Sequence, residues 1–183
     1  PASKTVTTVE DALDFAAQVG YPIVVRPAYT MGGTGGGFVD DEDEMRIVAA
    51  RGIQASPIDQ ILVEESILGW QELEVEVIRD AKNQMISVCF IENVDPVGVH
   101  TGDSFCTAPM LTSDQTLQDR LEEIAHRIVS EVGVIGGTNV QLAHDPKSGR
   151  VVVIEINPRT SRSSALASKA TGLPIAMVST LLA

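Results

Sequence analysis

Apolar residues recur at helical spacing through Val9, Ala12, Leu13, Ala16 and Val19, and Gly20 followed by Pro22 closes the stretch. The spacing predicts an amphipathic helix. Thr8 is placed to cap it, and Asp11 three residues on approximates a capping box. Ile23 to Arg26 is β-branched and short, the pattern of a strand. Residues 32–37 hold five glycines and one threonine, a run that predicts a flexible loop without regular structure. Phe38 and Val39 resume a strand, and the acidic run Asp40 to Glu44 suits the positive end of a helix reaching about Ala50. With a strand at Ile61 to Val63, this part of the chain predicts a small α+β lobe.

From Gln71 the period changes. Glu72, Glu74 and Glu76 alternate with Leu73, Val75 and Val77, the signature of a half-exposed strand. A turn over Asp80 to Gln84 and a return strand from Met85 to Glu92 complete a hairpin. A turn-rich loop from Asn93 to Pro109 follows. Ser113 then caps a helix whose Leu117, Leu121, Ile124, Ile128 and Val132 share a face up to Gly133. Strands at Thr138 to Ala143 and Arg150 to Asn157 flank the turn Asp145-Pro146-Lys147-Ser148-Gly149. The expected organisation is two lobes, 1–70 and 71–183. The chain opens at Pro1 and stops at Ala183, inside an apolar stretch from Pro174 that predicts an unfinished helix, so a piece of a longer protein is expected.

Composition narrows the function. Apolar residues make up 44% of the 183, enough for a globular core. Thirteen basic against 25 acidic residues give a net charge of −12, and aromatics amount to 4%. That balance disfavours a nucleic acid partner, which needs phosphate-neutralising cations and stacking surfaces. No apolar run reaches the roughly 18 residues that would span a bilayer, so a membrane partner is not expected either. Two cysteines, Cys89 and Cys106, do not make a disulfide scaffold, and they fit a reducing, cytoplasmic setting.

The glycine run lies between strands. A P-loop needs a Lys-Ser or Lys-Thr pair opening a helix, and a dinucleotide site needs its glycines at a helix start. Between strands the run can instead fold as a flap over a polyphosphate, offering unobstructed N–H groups, or it can be a plain hairpin tip. Arg26, at the preceding strand's end, is either a phosphate-facing cation or half of a surface ion pair.

The last hairpin is more informative. A turn centred near Ser148 sets Gln141 opposite Glu155, and Asn157 falls on the face of Glu155. That face also takes Val151 and Val153, with Val152, Ile154 and Ile156 on the other, which predicts a central strand buried on both sides. A glutamate there needs a cation. Gln141, Glu155 and Asn157 form an all-oxygen set suited to Mg²⁺, unless they are merely the solvent-facing end of a strand. Arg159 and Arg162 follow and could hold an anion or an acyl-phosphate, or be salt-bridged at a helix start. The backbone near Glu64 and Glu65 could read an adenine edge or simply link the lobes. His126 and His144 read as structural, and Cys106 as inert.

Three segments carry a resemblance over nearly the whole chain. The first runs from Tyr21-Pro22-Ile23-Val24-Val25-Arg26-Pro27-Ala28 to Met31-Gly32-Gly33-Thr34-Gly35. The second is Glu92-Asn93-Val94-Asp95-Pro96-Val97-Gly98-Val99-His100-Thr101-Gly102-Asp103-Ser104. The third extends from Glu155-Ile156-Asn157-Pro158-Arg159-Thr160-Ser161-Arg162 through Ser163-Ser164-Ala165-Leu166-Ala167 to Gly172. In this order they resemble the ATP-grasp fold of the carbamoyl-phosphate synthetase large-chain family. The chain departs from the common pattern at Phe105-Cys106 and has one residue fewer before Gly136-Gly137.

The resemblance implies an α+β fold of two lobes with ATP between them. It implies phosphorylation of bicarbonate to carboxyphosphate, and then carbamate formation with ammonia from a glutaminase small subunit. The Ser163-to-Ala167 continuation is similar to the bicarbonate half rather than the carbamate half. By position, Arg26, Gly32 and Gly33 would meet the phosphates, Glu65 and Ile67 adenine, and Glu72 ribose, with Gly98, Val99 and His100 completing the pocket. Gln141, Glu155 and Asn157 would bind Mg²⁺ or Mn²⁺. Arg159 and Arg162 would hold bicarbonate, and a K⁺ site would lie near Glu72, Asn93 and Glu155. The rivals are the carbamate-phosphorylating half, a biotin carboxylase, whose glycine loop should carry a lysine absent from Gly32 to Gly37, and a non-catalytic ATP-sensing module.

Overall fold

The computed structural model describes residues 1–99 and 104–183. The chain divides into two compact units, Pro1–Ile67 and Leu68–Ala183, a few residues before the boundary expected at 70.

In the first unit, β1 (Ser3–Val6), β2 (Ile23–Pro27), β3 (Gly37–Val39) and β4 (Ile61–Glu65) form an antiparallel sheet in the order β1-β4-β2-β3. Helices α1 (Val9–Val19) and α2 (Glu42–Ala55) pack on it. Their Ala12, Phe15, Ala16, Met45, Val48 and Ala49 share one core with Ile23, Val25, Val39, Ile61 and Val63. Thr8 caps α1, its hydroxyl accepting from the Asp11 N–H at 3.1 Å. The capping of α2 falls to Asp41, which accepts from Glu44. That helix runs past the expected Ala50 because Gly52 does not end it. Instead Gly52 lets the helix sit close to β4, where a Cβ would lie 3.0 Å from Ile61. Strand β1 was not expected. Only its Val6 is buried, so it has no apolar alternation to see.

In the second unit, β5 (Gln71–Arg79), β6 (Met85–Asn93), β7 (Cys106–Thr107), β8 (Gly136–His144) and β9 (Val151–Asn157) build an antiparallel sheet ordered β7-β6-β5-β8-β9. Helix α3 (Gln115–Val132) brings Leu121, Ala125 and Val129 onto Leu73, Val75, Val77, Val140 and Leu142. Helices α4 (Arg162–Thr171) and α5 (Ile175–Leu182) supply Ala167 and Ile175 to a separate cluster with Ile78, Cys89 and Ile91. Strand β5 is therefore central and covered on both faces. Its glutamates are not half-exposed as the alternation predicted: Glu72, Glu74 and Glu76 are 5%, 2% and 0% exposed. The cap of α3 is Asp114, accepting from Leu117 N–H at 2.8 Å, rather than Ser113, and Gly133 ends the helix in the left-handed conformation. Among the described residues no single helix is long and apolar enough to cross a membrane.

Candidate functional site

In the first unit the glycine run has two unlike halves. Gly32 and Gly33 adopt left-handed φ of 64° and 74°, and no atom lies within 4 Å of where a Cβ would stand. Their backbone is open to a ligand. Gly35 and Gly36 are instead clamped. A Cβ on Gly36 would meet the Val25 carbonyl at 2.5 Å, and one on Gly35 would meet Ala55 at 2.6 Å. Arg51 of α2 donates to the carbonyls of Gly35 and Gly36 at 3.4 and 3.1 Å. The Gly36 N–H closes a turn on Gly33 O at 3.1 Å. The run is thus a short anchored turn with a free tip, not the uniformly flexible loop its composition predicted.

Arg26, the penultimate residue of β2, has an exposed side chain, and its Nη2 lies 3.3 Å from Glu64 Oε1. The cation is exposed and shared with a largely buried carboxylate. Glu65 closes β4 and accepts from the Ala2 N–H at 3.1 Å, with Ile67 half-buried just beyond.

In the second unit, Gly98 and Val99 are exposed. They follow Val97, whose N–H donates to Trp70 O at 2.8 Å and whose carbonyl accepts from Gly69 N–H at 3.1 Å. His100 lies outside the described residues. Gln141 pairs with Glu155 across the β8–β9 ladder, the expected register. From there side chains link in sequence: Asn157 Nδ2 donates to Glu155 Oε1 at 2.8 Å, and Arg159 Nη2 donates to Asn157 Oδ1 at 3.2 Å. Arg162 opens α4 with an exposed side chain, close enough to Cys106 to act on it electrostatically.

Two expectations for β9 need correction. It is an edge strand, not a central one, and Glu155 is exposed. A bulge at Gln141/Leu142 pairs Leu142 with Val153 directly after Gln141 with Glu155. That shifts the alternation by one residue. Val151 and Val153 fall on the α3 side with Ile156, away from Glu155, so counting by twos put them on the wrong face.

The desolvated carboxylates are on β5, and sequence reasoning missed most of their partners. Glu74 accepts from Asn93 Nδ2 at 2.9 Å and Asn139 Nδ2 at 2.8 Å. Glu76 accepts from Asn139 at 3.0 Å and Ser164 Oγ at 2.9 Å. Burial raises the Glu76 carboxyl, and bonds from Ser163, Ser164 and Asn139 partly offset it. Burial, followed by repulsion from Glu74 and Glu155, pushes Glu72 up to about 7. The buried Asn93 Oδ1 has no hydrogen-bond donor among the described residues. The available signal was a polar alternation on a strand flanked by strands bearing Asn93 and Asn139. Among the described residues no cluster of three His, Cys, Asp or Glu could hold a metal ion.

The family model for the carbamoyl-phosphate synthase L chain, ATP binding domain, matches residues 1–183. Carbamoyl phosphate synthase large chains are similar over almost the whole chain: 51% identical in a Thermotoga species, 54% in Thermus thermophilus and 56% in Thermomicrobium roseum, covering 99%, 100% and 99% of it. The chain spans only 17%, 18% and 17% of those proteins. Among solved structures, a Campylobacter jejuni biotin carboxylase–ATP-analogue complex superposes with a TM-score of 0.76 at 21% identity, over 92% of this chain and 38% of that one. The biotin carboxylase domain of Hydrogenobacter thermophilus 2-oxoglutarate carboxylase, solved with MgADP, ADP and bicarbonate, gives 0.74 at 19% identity over 96% and 39%. At these identities the likeness establishes the fold, which is ATP-grasp.

Proposed function

The chain belongs to the family of carbamoyl-phosphate synthase large-chain ATP-binding domains, and on that premise we propose that it binds Mg·ATP and phosphorylates bicarbonate to carboxyphosphate. It would do so as part of a full-length cytoplasmic large chain, with ammonia from a glutaminase small subunit converting carboxyphosphate onward to carbamate. The observation that carries the reading is the side-chain sequence Glu155–Asn157–Arg159, set beside Gln141 by the β8–β9 register, which joins hard oxygen donors directly to a guanidinium.

The residues fit the groups they are assigned. Gln141, Glu155 and Asn157 offer oxygens at an accessible strand end, where Mg²⁺ or Mn²⁺ could keep waters and phosphate oxygens. When bound, the metal supplies charge neutralisation and alignment of the triphosphate. The resemblance to the family assigns a K⁺ site near Glu72, Asn93 and Glu155, where the Asn93 oxygen has no donor among the described residues and Glu74 and Glu155 oppose the charge of Glu72. Arg26 and the open N–H groups of Gly32 and Gly33 are assigned to the phosphates, Glu65 and Ile67 to adenine, Glu72 to ribose, and Gly98, Val99 and His100 to the rest of the nucleotide. Arg159 and Arg162 would hold bicarbonate with one oxygen directed in line at the γ-phosphorus, and retain the more highly charged carboxyphosphate afterwards. The net charge of −12 repels free ATP, which favours the metal complex as the bound species. Ser163-Ser164-Ala165-Leu166-Ala167 supports the bicarbonate over the carbamate reaction.

Glu155→Gln in the full-length large chain tests the assignment. It is expected to lower bicarbonate-dependent ATP hydrolysis by more than the roughly 10–100-fold that loss of a supporting metal contact costs. Near-normal turnover at saturating Mg²⁺ would contradict the metal site.

A further inference from the structure

We propose that Glu76 is a positioning residue, whose buried carboxylate fastens the first turn of α4 to the centre of the sheet and so sets the direction of Arg159 and Arg162. The inference rests on the reading above that these arginines hold the oxyanion.

Glu76 is fully buried on the central strand, four residues along from Glu72 and remote in sequence from α4. Its Oε2 accepts from Ser164 Oγ at 2.9 Å. The same Ser164 oxygen accepts from the Ser161 N–H at 2.9 Å, closing the capping box that starts α4. The helix cap is therefore oriented by a carboxylate of the sheet. The other oxygen, Oε1, accepts from Asn139 Nδ2, which also reaches Ser163 Oγ at 3.2 Å. Asn139 in turn pairs with Asn157 in the β8–β9 ladder. The connection from Asn157 to Arg162 is thus tied at both ends to groups bonded to Glu76.

A carboxylate suits this place for two reasons. It can accept several hydrogen bonds at once, and it complements the positive end of the helix. An apolar residue would fill the space without fixing the cap, and the hydrogen bonds that partly offset the cost of burying this carboxylate are the ones that hold the cap. Arg159 and Arg162 carry exposed side chains on either side of the cap, so a rotation of the first turn would redirect both.

The test compares Glu76→Gln, Ser164→Ala and the double variant with Arg162→Ala, all in the full-length large chain. Hydrogen exchange at the amides of Arg162 to Ala165 should quicken in both single variants. The kcat/KM for bicarbonate in ATP hydrolysis should fall roughly 10–100-fold, while Mg·ATP affinity stays within about twofold. The double variant should be little worse than either single one, because both act through the same Ser164–Glu76 contact. Should Glu76→Gln not fold, Ser164→Ala, which removes one hydroxyl, carries the test. Unchanged exchange and unchanged bicarbonate kinetics in a folded variant would overturn the proposal. So would faster exchange with normal bicarbonate kinetics, given a defect in Arg162→Ala. Normal kinetics in Arg162→Ala would instead overturn the assignment of the arginines, and with it the functional part of the proposal.

Discussion

Glu72 keeps its proton in the folded chain to about pH 7, against an ordinary value of 4.5, because burial and then Glu74 and Glu155 oppose its charge. Between those limits the native state binds more protons than the unfolded one. Its contribution to stability is therefore fully present below about 4.5 and is lost as the pH rises through about 7. Urea denaturation between pH 5 and 8 should show the decline, Glu72→Gln should flatten it, and added K⁺ should flatten it in the native chain. An unaltered slope in Glu72→Gln would place the repulsion elsewhere. At this scale Glu155, Asn157 and Gln141 were legible, since the turn fixes their register. Glu74 and Glu76 were not: acids alternating with aliphatics look the same whether the polar face meets water or a helix carrying serines. Only the position of β5 within the sheet decides it.

The glycine run separates chain elements that need freedom from those that need proximity. Gly33→Ala meets open space and incurs about 1–2 kcal/mol of left-handed backbone strain. Gly36→Ala forces a methyl against the Val25 carbonyl, so about 1–3 kcal/mol and a disturbed β2–β3 pairing are expected. Urea unfolding with hydrogen exchange at Phe38 and Val39 distinguishes them, because only Gly36→Ala should speed exchange there. Equal behaviour would refute the close approach of Gly36 to the Val25 carbonyl. Most helices and strands were legible from their period and caps. The strand β1 lacked a buried face to reveal it, and the bulge in the last hairpin defeated the alternation count on β9. Bulges and edges belong to the pairing, which a single strand's sequence does not carry.

For the whole molecule, the ATP-grasp fold and the family match over residues 1–183 agree on an ATP-binding domain. Each unit carries its own share of the assigned residues: Arg26, Gly32, Gly33, Glu65 and Ile67 in the first, and the oxygen donors and Arg159 with Arg162 in the second. In the proposed reaction, attack by a bicarbonate oxygen on the γ-phosphorus would make that oxygen the bridge of carboxyphosphate, and later cleavage at carbon would leave it on phosphate. The most direct measurement is therefore hydrolysis of ATP by the full-length large chain in heavy-oxygen bicarbonate and ordinary water, with mass analysis of the released phosphate. The account predicts one bicarbonate-derived oxygen in each phosphate formed. Phosphate whose new oxygen comes from water would contradict it.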